Sequence, residues 1–217
     1  MRNTAFIFLN GLYQKGDMAL VGRLIRRSRP RPMMVAVDGG IGFLQKIKIK
    51  PDVWISDLDS APRLRAGFLK NILILLYSSE KEKTDAELAL EYCVRKRAFD
   101  VTVFGWDSRD GETDHLLGNL FLCRNLTGPK RNVKLRFLDS RREIISLRDE
   151  SRSLRGFRGR RLSIIPLSAR ISLSLSGTLY PAKNLIIRAG QAIALRNQIT
   201  SDAARISITG SGLAILA

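Results

Sequence analysis

Val35-Ala36-Val37-Asp38-Gly39-Gly40 and, ten residues further on, Pro51-Asp52-Val53-Trp54-Ile55-Ser56-Asp57-Leu58-Asp59-Ser60 say the same thing twice. Met34 to Val37 is a short apolar run, partly β-branched, that stops at Asp38-Gly39-Gly40. It reads as a buried strand ending in a turn where backbone can approach a ligand. Val53 to Ser56 repeats the pattern and ends in Asp57-Leu58-Asp59. In an open α/β sheet the crevice beyond the carboxyl ends of the strands is where ligands bind, so these acids are delivered to one rim.

Working outward from that pair, Ala5 to Leu9 reads as a first strand ending at Asn10-Gly11, and Gly16 to Arg27 as a helix with one basic face. Pro30 and Pro32 close that helix, and Ile41 to Lys46 forms a short one. Downstream the spacing predicts a helix over Ala61 to Leu69, a strand over Ile72 to Leu76 covered on both faces, and a helix over Thr84 to Arg97. A strand over Val101 to Phe104, a helix over Asp114 to Leu126 and a strand over Val133 to Leu138 follow. Strands alternating with helices imply parallel βαβ units.

After Asp139 the texture changes to short alternating segments, Leu162 to Ile165, Ile171 to Leu175, Leu185 to Arg188, Ile193 to Leu195 and Ala204 to Ile208, separated by Ser, Gly and Pro. These read as a small β-sandwich or barrel. The expected organisation is an α/β domain with a mainly parallel sheet over 1–139 and an all-β domain over 140–217.

The net charge of +17 is spread over both parts. Residues 1–138 carry 24 basic and 15 acidic side chains, and residues 139–217 carry 13 and 5. Such a surface attracts polyanions without saying which. The arginine clusters at 23–31 and 152–161 read as solvated faces. Cys93 and Cys123, with one histidine in the chain, make neither a zinc site nor a disulfide framework, and point to buried thiols in a reducing compartment. No apolar run approaches a membrane span, and Thr4 to Leu9 is too short for a signal segment, so a cytoplasmic protein is expected.

Asp57 and Asp59 are two apart and share one side of an extended chain, where like charges need a cation or a shared proton. Hard oxygen ligands suit Mg²⁺, usually held by one or two carboxylates together with substrate phosphates. The simpler alternative makes Asp59 or Ser60 the N-cap of a helix entering at Pro62. Lys83-Thr84-Asp85 sets a hydroxyl and a carboxylate at a helix N-terminus, and Asp110-Gly111-Glu112-Thr113-Asp114-His115 follows the next strand, with Asn119 beyond it. Thr84 and Asp114 could each be ordinary caps; acids after four successive strands would then be four coincidences.

In this order the pieces resemble the thiamine pyrophosphokinase family: Asn10-Gly11, Asp38-Gly39-Gly40, Lys50-Pro51-Asp52, Ser56-Asp57-Leu58-Asp59-Ser60, Lys83-Thr84-Asp85, Asp114-His115 with Asn119, and Gly177-Thr178-Leu179-Tyr180-Pro181 with Asn184. The resemblance implies an ATP-binding α/β domain, a C-terminal β-sandwich and a homodimer. It also implies diphosphate transfer from ATP to the thiamine hydroxyl, with AMP released. By position it gives Asp57, Asp59 and Asp85 to Mg²⁺ and catalysis. Asn10, Asp38, Gly39, Thr84, Asp114, His115 and Asn119 go to ATP and its phosphates, and Tyr180, Arg196 and Asn197 to the acceptor. His115 is read as a positioning or structural residue rather than a base, and Asp38 or Asp59 as the acceptor of the alcohol proton.

Three departures bear on this. Asp110-Gly111-Glu112 stands where the family commonly has Gly-Gly-Arg, Lys81-Glu82-Lys83-Thr84-Asp85 where it has Lys-Asp-x-Thr-Asp, a milder change, and Arg196-Asn197-Gln198 where it has Ser-Asn-Glu. A guanidinium there opposes a cationic thiazolium. The rival readings are a pyrophosphokinase of the same scaffold acting on another alcohol, such as a hydroxymethyl pterin, and a basic nucleic-acid-binding protein. Against the latter stand few aromatics for base stacking and strand-end acids that repel a phosphate backbone.

Overall fold

Met33-Met34-Val35-Ala36-Val37 is buried along its whole length, as an interior strand covered on both faces must be. In the computed structural model, which describes residues 3–58, 62–77, 83–107, 112–126 and 133–217, the chain divides into two compact units. One comprises Met1–Leu122 and Arg131–Ser140, the other Cys123–Lys130 and Arg141–Ala217.

In the first unit, β1 (Thr4–Phe8), α1 (Asp17–Arg27), β2 (Met33–Val37), α2 (Gly40–Lys46), β3 (Val53–Ser56), β4 (Leu73–Leu76), α3 (Asp85–Arg95), β5 (Asp100–Phe104), α4 (Thr113–Leu126, which the division crosses after Leu122) and β6 (Lys134–Leu138) follow in order. The strands pair in parallel as β6-β5-β1-β2-β3-β4. The chain therefore winds outward from β1 to β4 and returns to β1's other side with β5, which makes β1/β5 the switch point of the sheet. Alternation along the strands sorts the core. Phe6, Phe8, Met34, Ala36, Trp54 and Phe104 pack with Val21 of α1 and with Ile41, Phe43 and Leu44 of α2. The intervening residues belong to the opposite face, and α3 packs on β1, β2 and β3. Buried Asp17 accepts the N–H of Gln14 at 2.8 Å and of Ser140 at 2.6 Å, tying the start of α1 to the end of β6.

Two expectations for this unit fail. The described part of Ala61 to Leu69 is not a helix: Phe68, Lys70 and Ile72 donate to the carbonyls three residues back, and Gly67 and Asn71 have positive φ. A longer-range tie holds these turns, because Lys50 Nζ reaches the carbonyls of Gly67 at 3.3 Å and Lys70 at 3.1 Å. β4 forms but is not covered on both faces. Among the described residues it is the sheet edge, paired with β3 alone, and Leu73, Ile74 and Leu76 are exposed.

The second unit holds β7 (Glu143–Ser153), β8 (Arg161–Pro166), β9 (Arg170–Ser176), β10 (Ala182–Arg188), β11 (Asn197–Gln198) and β12 (Arg205–Leu216), paired antiparallel. Its twelve-residue last strand runs along β7 throughout while exchanging β9 for β8 on the other side. The exchange occurs at a register shift between Ile208 and Ser211, where Gly210 has φ 93° and donates its N–H to Asp149 at 2.7 Å. Leu162, Ile164, Leu173, Ile187, Ile206 and Leu216 are among the residues of its core. β7 has no counterpart in the sequence reading, and Ile193 to Leu195, read as a strand, is a turn with Ile193 68% exposed. Among the described residues no helix is long and apolar enough to cross a membrane.

Candidate active site

β1, β2 and β5 end side by side, and glycine lets their loops close up. A Cβ on Gly40 would collide with the Phe8 carbonyl, and one on Gly11 with the carbonyls of Gly105 and Asp107. Gly11 donates its N–H to the Gly105 carbonyl at 3.0 Å and Leu12 to that of Asp107 at 2.8 Å. The Asn10 side-chain amide lies against Gly39, so these two nominated residues are neighbours. Tyr13, stacked on Phe43 with ring centroids 3.9 Å apart, donates its hydroxyl to the Leu9 carbonyl at 2.8 Å.

Asp38 sits at the centre of this rim. Its backbone has φ 42°, its N–H donates to the Ile55 carbonyl at 2.9 Å, and its carbonyl accepts from Trp54 Nε1 at 3.1 Å. Both bonds come from β3 and hold a non-glycine residue in a left-handed conformation that it would otherwise avoid. The Asp38 carboxyl is pushed up from an ordinary 3.8 to about 7. Burial is the main cause, followed by the charge of Asp85 and a hydrogen bond shared with it; the Ser56 hydroxyl works in the opposite direction, and Asp57 adds a further upward push. Asp38 Oδ1 is buried with no hydrogen-bond partner.

The structure thus brings Asp38, Asp57 and Asp85 to one place, from the ends of β2 and β3 and the first turn of α3. Asp85 is positioned by the cap before it: Thr84 accepts the Glu87 N–H at 3.2 Å, so that hydroxyl is an N-cap as the simpler reading had it. Ser56, fully buried at the end of β3, accepts the Leu58 N–H at 2.9 Å and turns the chain there, with Leu58 at φ 70°. The sequence reading quoted Ser56 but gave it no role. The available signal was a hydroxyl closing an apolar strand directly before two acids.

Asp59, Asp110 and Gly111 lie outside the described residues. Among the described residues, no three His, Cys, Asp or Glu side chains are disposed to hold a metal ion by themselves. Asp85 and Asp57 each act electrostatically on Asp38, which keeps one buried oxygen without a hydrogen-bond partner, and hard oxygens of this kind are the donors that Mg²⁺ takes when it is shared with phosphates.

The remaining nominated residues are placed less tightly. Asp114 accepts the His115 N–H at 2.9 Å within the first turn of α4, and both side chains are exposed. Asn119 donates to the Trp106 carbonyl at 3.3 Å, fixing α4 to the loop after β5. In the second unit Asn197 spends its amide on Tyr180, accepting the Tyr180 N–H at 3.0 Å and donating to its carbonyl at 2.7 Å. That clip leaves the Tyr180 ring 67% exposed. Arg196 departs from Asn197: its N–H donates to Ser163 at 2.9 Å, and it lines a separate cavity with Arg161, Ser163, Ile215 and Ala217.

Comparison with known proteins fits this rim. The thiamine pyrophosphokinase of Bacillus subtilis (strain 168) is 28% identical over 188 residues, 85% of this chain and 86% of that protein. A crystal structure of the Bacillus subtilis thiamine pyrophosphokinase superposes with a TM-score of 0.82 at 26% identity, over 98% of this chain and 97% of the other. That of the Geobacillus thermodenitrificans protein does so at 0.77 and 23% identity, over 99% and 97%, and speaks for the fold alone. A family model, "Thiamin pyrophosphokinase, catalytic domain", matches residues 27–135, the span that carries Asp38, Asp57 and Asp85, and the chain belongs to this family of ATP-dependent diphosphotransferases.

Proposed function

We propose that the chain transfers the terminal diphosphate of ATP to the hydroxyethyl oxygen of thiamine. The oxygen–β-phosphorus bond forms as the bond from that phosphorus to the α–β bridging oxygen breaks. AMP leaves with the bridging oxygen, and the hydroxyl proton passes to the protein. The observation that carries the reading is the acidic knot at the strand ends, where burial and two neighbouring carboxylates hold Asp38 up at about 7. A site built this way is relieved by a cation that arrives with a phosphate tail.

Asp57 and Asp85, with Asp59, are the residues that would hold Mg²⁺, which supplies neutralisation of charge on the phosphoryl group being transferred. Asp38 Oδ1, buried and without a partner, is the atom we assign to receive the alcohol proton. Asn10 and Gly39 border the phosphate path, and the N-terminus of α3 at Thr84 offers it backbone N–H groups. Asp114, His115 and Asn119 are assigned to the nucleotide. We assign the exposed Tyr180 ring to the acceptor, with Asn197 acting through it as a positioning residue. A homodimer in the cytoplasm, with residues 1–139 binding nucleotide and a β-sandwich over 140–217 binding the acceptor and its partner, completes the reading.

The relatives matched are thiamine pyrophosphokinases, which leaves the pterin and nucleic-acid alternatives without support. The test is AMP release from Mg-ATP with thiamine, with a hydroxymethyl pterin and with neither, alongside detection of thiamine diphosphate. Thiamine-dependent AMP release with an equal yield of thiamine diphosphate is expected. AMP release indifferent to thiamine would sink the proposal.

A further inference from the structure

Leu58 follows Asp57 with its side chain 46% exposed and its backbone at φ 70°. A bulky residue avoids that left-handed region, and a side chain left in water gains nothing there to offset the strain. The compensation is local, because the Leu58 N–H donates to the Ser56 hydroxyl at 2.9 Å. A serine oxygen that accepts the N–H two residues on closes a turn in place of the backbone. Asp57 is the residue this bond spans. The extended chain expected to carry Asp57 and Asp59 on one side therefore ends at Leu58, and Asp57 is aimed by the turn rather than by the pleat of β3.

Ser56 is itself firmly held. It is fully buried, its backbone pairs with Leu76 of β4, and its carbonyl accepts the Tyr77 N–H at 3.2 Å. A hydroxyl has one hydrogen to donate and two lone pairs with which to accept. One lone pair takes the Leu58 N–H. The hydrogen goes to the Asp38 carboxyl, since the bond between them favours the ionised form, as only a donated bond does. Asp38 Oδ1 has no hydrogen-bond partner, so that bond falls on the other oxygen. One buried hydroxyl thus ties the carboxyl after β2 to the turn after β3. Packing alone would ask only for a small side chain at this place; two bonds of opposite sense ask for the hydroxyl.

We infer that Ser56 is a positioning residue of the transfer site, its hydroxyl fixing the turn that presents Asp57 to Mg²⁺ and settling which Asp38 oxygen is left free. The inference rests on the proposed transfer reaction for the identity of the metal and the nucleotide, and on the Ser56–Leu58 bond and the burial of Ser56 for the role of the hydroxyl.

The test compares S56T with S56V, which share a shape and differ by the hydroxyl, alongside S56A and wild type, all as the full chain. Calorimetric titration with the Mg²⁺ complex of α,β-methylene ATP, whose carbon bridge does not break, reads the site without turnover. Removing a group that orients a metal ligand usually weakens metal binding by about tenfold or more, and S56V and S56A should show that loss. S56T should stay close to wild type. In S56V and S56A the thiamine-dependent kcat should fall while the thiamine KM holds, because the acceptor is bound by other residues. Equal binding by S56T and S56V overturns the inference, since shape and not the hydroxyl would then matter. So does a lowered melting temperature in S56A with wild-type affinity and kcat, which is the mark of a purely structural serine. If an added methyl unfolds S56T or S56V, the folded S56A decides alone. A wild type that binds the complex through the hydroxyl but forms no thiamine diphosphate would end the proposed function and leave Ser56 its role. Unaltered thiamine diphosphate formation in S56A and S56V would do the reverse, and a wild type that does not bind the complex would remove both.

Discussion

The strand-end rim and the outer face of β8 each carry like charges, but their surroundings differ. At the rim the charges are carboxylates, Asp38 is partly buried, and the repulsion appears as a carboxyl held up at about 7. On the outer face of β8 the charges belong to Arg161 and Arg196, both exposed to water that screens them. Burial converts repulsion into altered protonation, whereas exposure leaves it as an attractive field. The first arrangement suits a metal bound together with phosphates. In a chain of net charge +17, the acidic knot is the local exception, and so the part that most needs a functional explanation.

The widest separation between the two clusters should come from removing one charge from each. D85N keeps a polar residue in the first turn of α3 but takes away the carboxylate that, after burial, weighs most on Asp38. Thiamine-dependent kcat should fall by about 10²–10³-fold, the usual scale for losing one preorganised electrostatic contact to the transition state. The melting temperature at pH 8 should hold or rise, since a repulsion has been relieved. R161S, by contrast, should turn over normally. A D85N enzyme within about tenfold of wild type would remove Asp85 from the transfer site.

A second contrast is in packing. The rim depends on backbones touching, and Gly40 is the tightest point: an added Cβ would meet the Phe8 carbonyl carbon at 2.6 Å and the Leu9 carbonyl oxygen at 2.9 Å, neither of which can swing aside. G40A should destabilise the protein by about 1–3 kcal/mol in urea denaturation. Gly118 of α4 is the control, because a Cβ there meets nothing within 4 Å. G118A should stabilise by about 1 kcal/mol through helix propensity alone. Equal effects at the two glycines would mean that the close approach at the rim is not what holds β2 against β1.

The same division governs what could be read before any coordinates. β1, β2, β3 and β5 are apolar runs stopped by Gly or Asp, and continuous burial gives such runs an unmistakable pattern. β4 has an equally apolar run, but its exposure depends on being last in the sheet, which no local pattern records. The expected helix at Ala61 to Leu69 yielded to turns at Gly67 and Asn71 held by Lys50, some twenty residues away. β7 escaped notice because its charged second half owes its strand conformation to pairing with β12. At the site, the acids were legible as strand-end residues. The Ser56 hydroxyl bond and the clip of Asn197 on Tyr180 were not, since each depends on a partner that only folding supplies.

The smallest effect is the most direct readout of the rim's repulsion. In the folded protein Asp38 titrates near 7, and unfolded near its ordinary 3.8, so between these pH values the native state holds a proton that the unfolded chain has released. Stability must then fall as pH rises from about 4 to about 7 and level off above, the reverse of the slope from a salt-bridged carboxylate. A shift of this size would be about 4 kcal/mol unscreened, and water reaching the partly exposed carboxyl reduces it to about 1–2 kcal/mol. D38N carries no charge at any pH, so it should match wild type near pH 4 and exceed it by that amount at pH 8, a gap of about 2–8 °C in Tm. Taking the difference between the two proteins cancels the other carboxylates, whose slopes are common to both. Mg²⁺ with ATP should narrow the gap, because a cation among Asp57, Asp85 and Asp38 favours the ionised wild-type carboxylate and has less to offer an amide. A gap independent of pH would show that Asp38 is ionised throughout, and the rim would then be an ordinary solvated acidic edge.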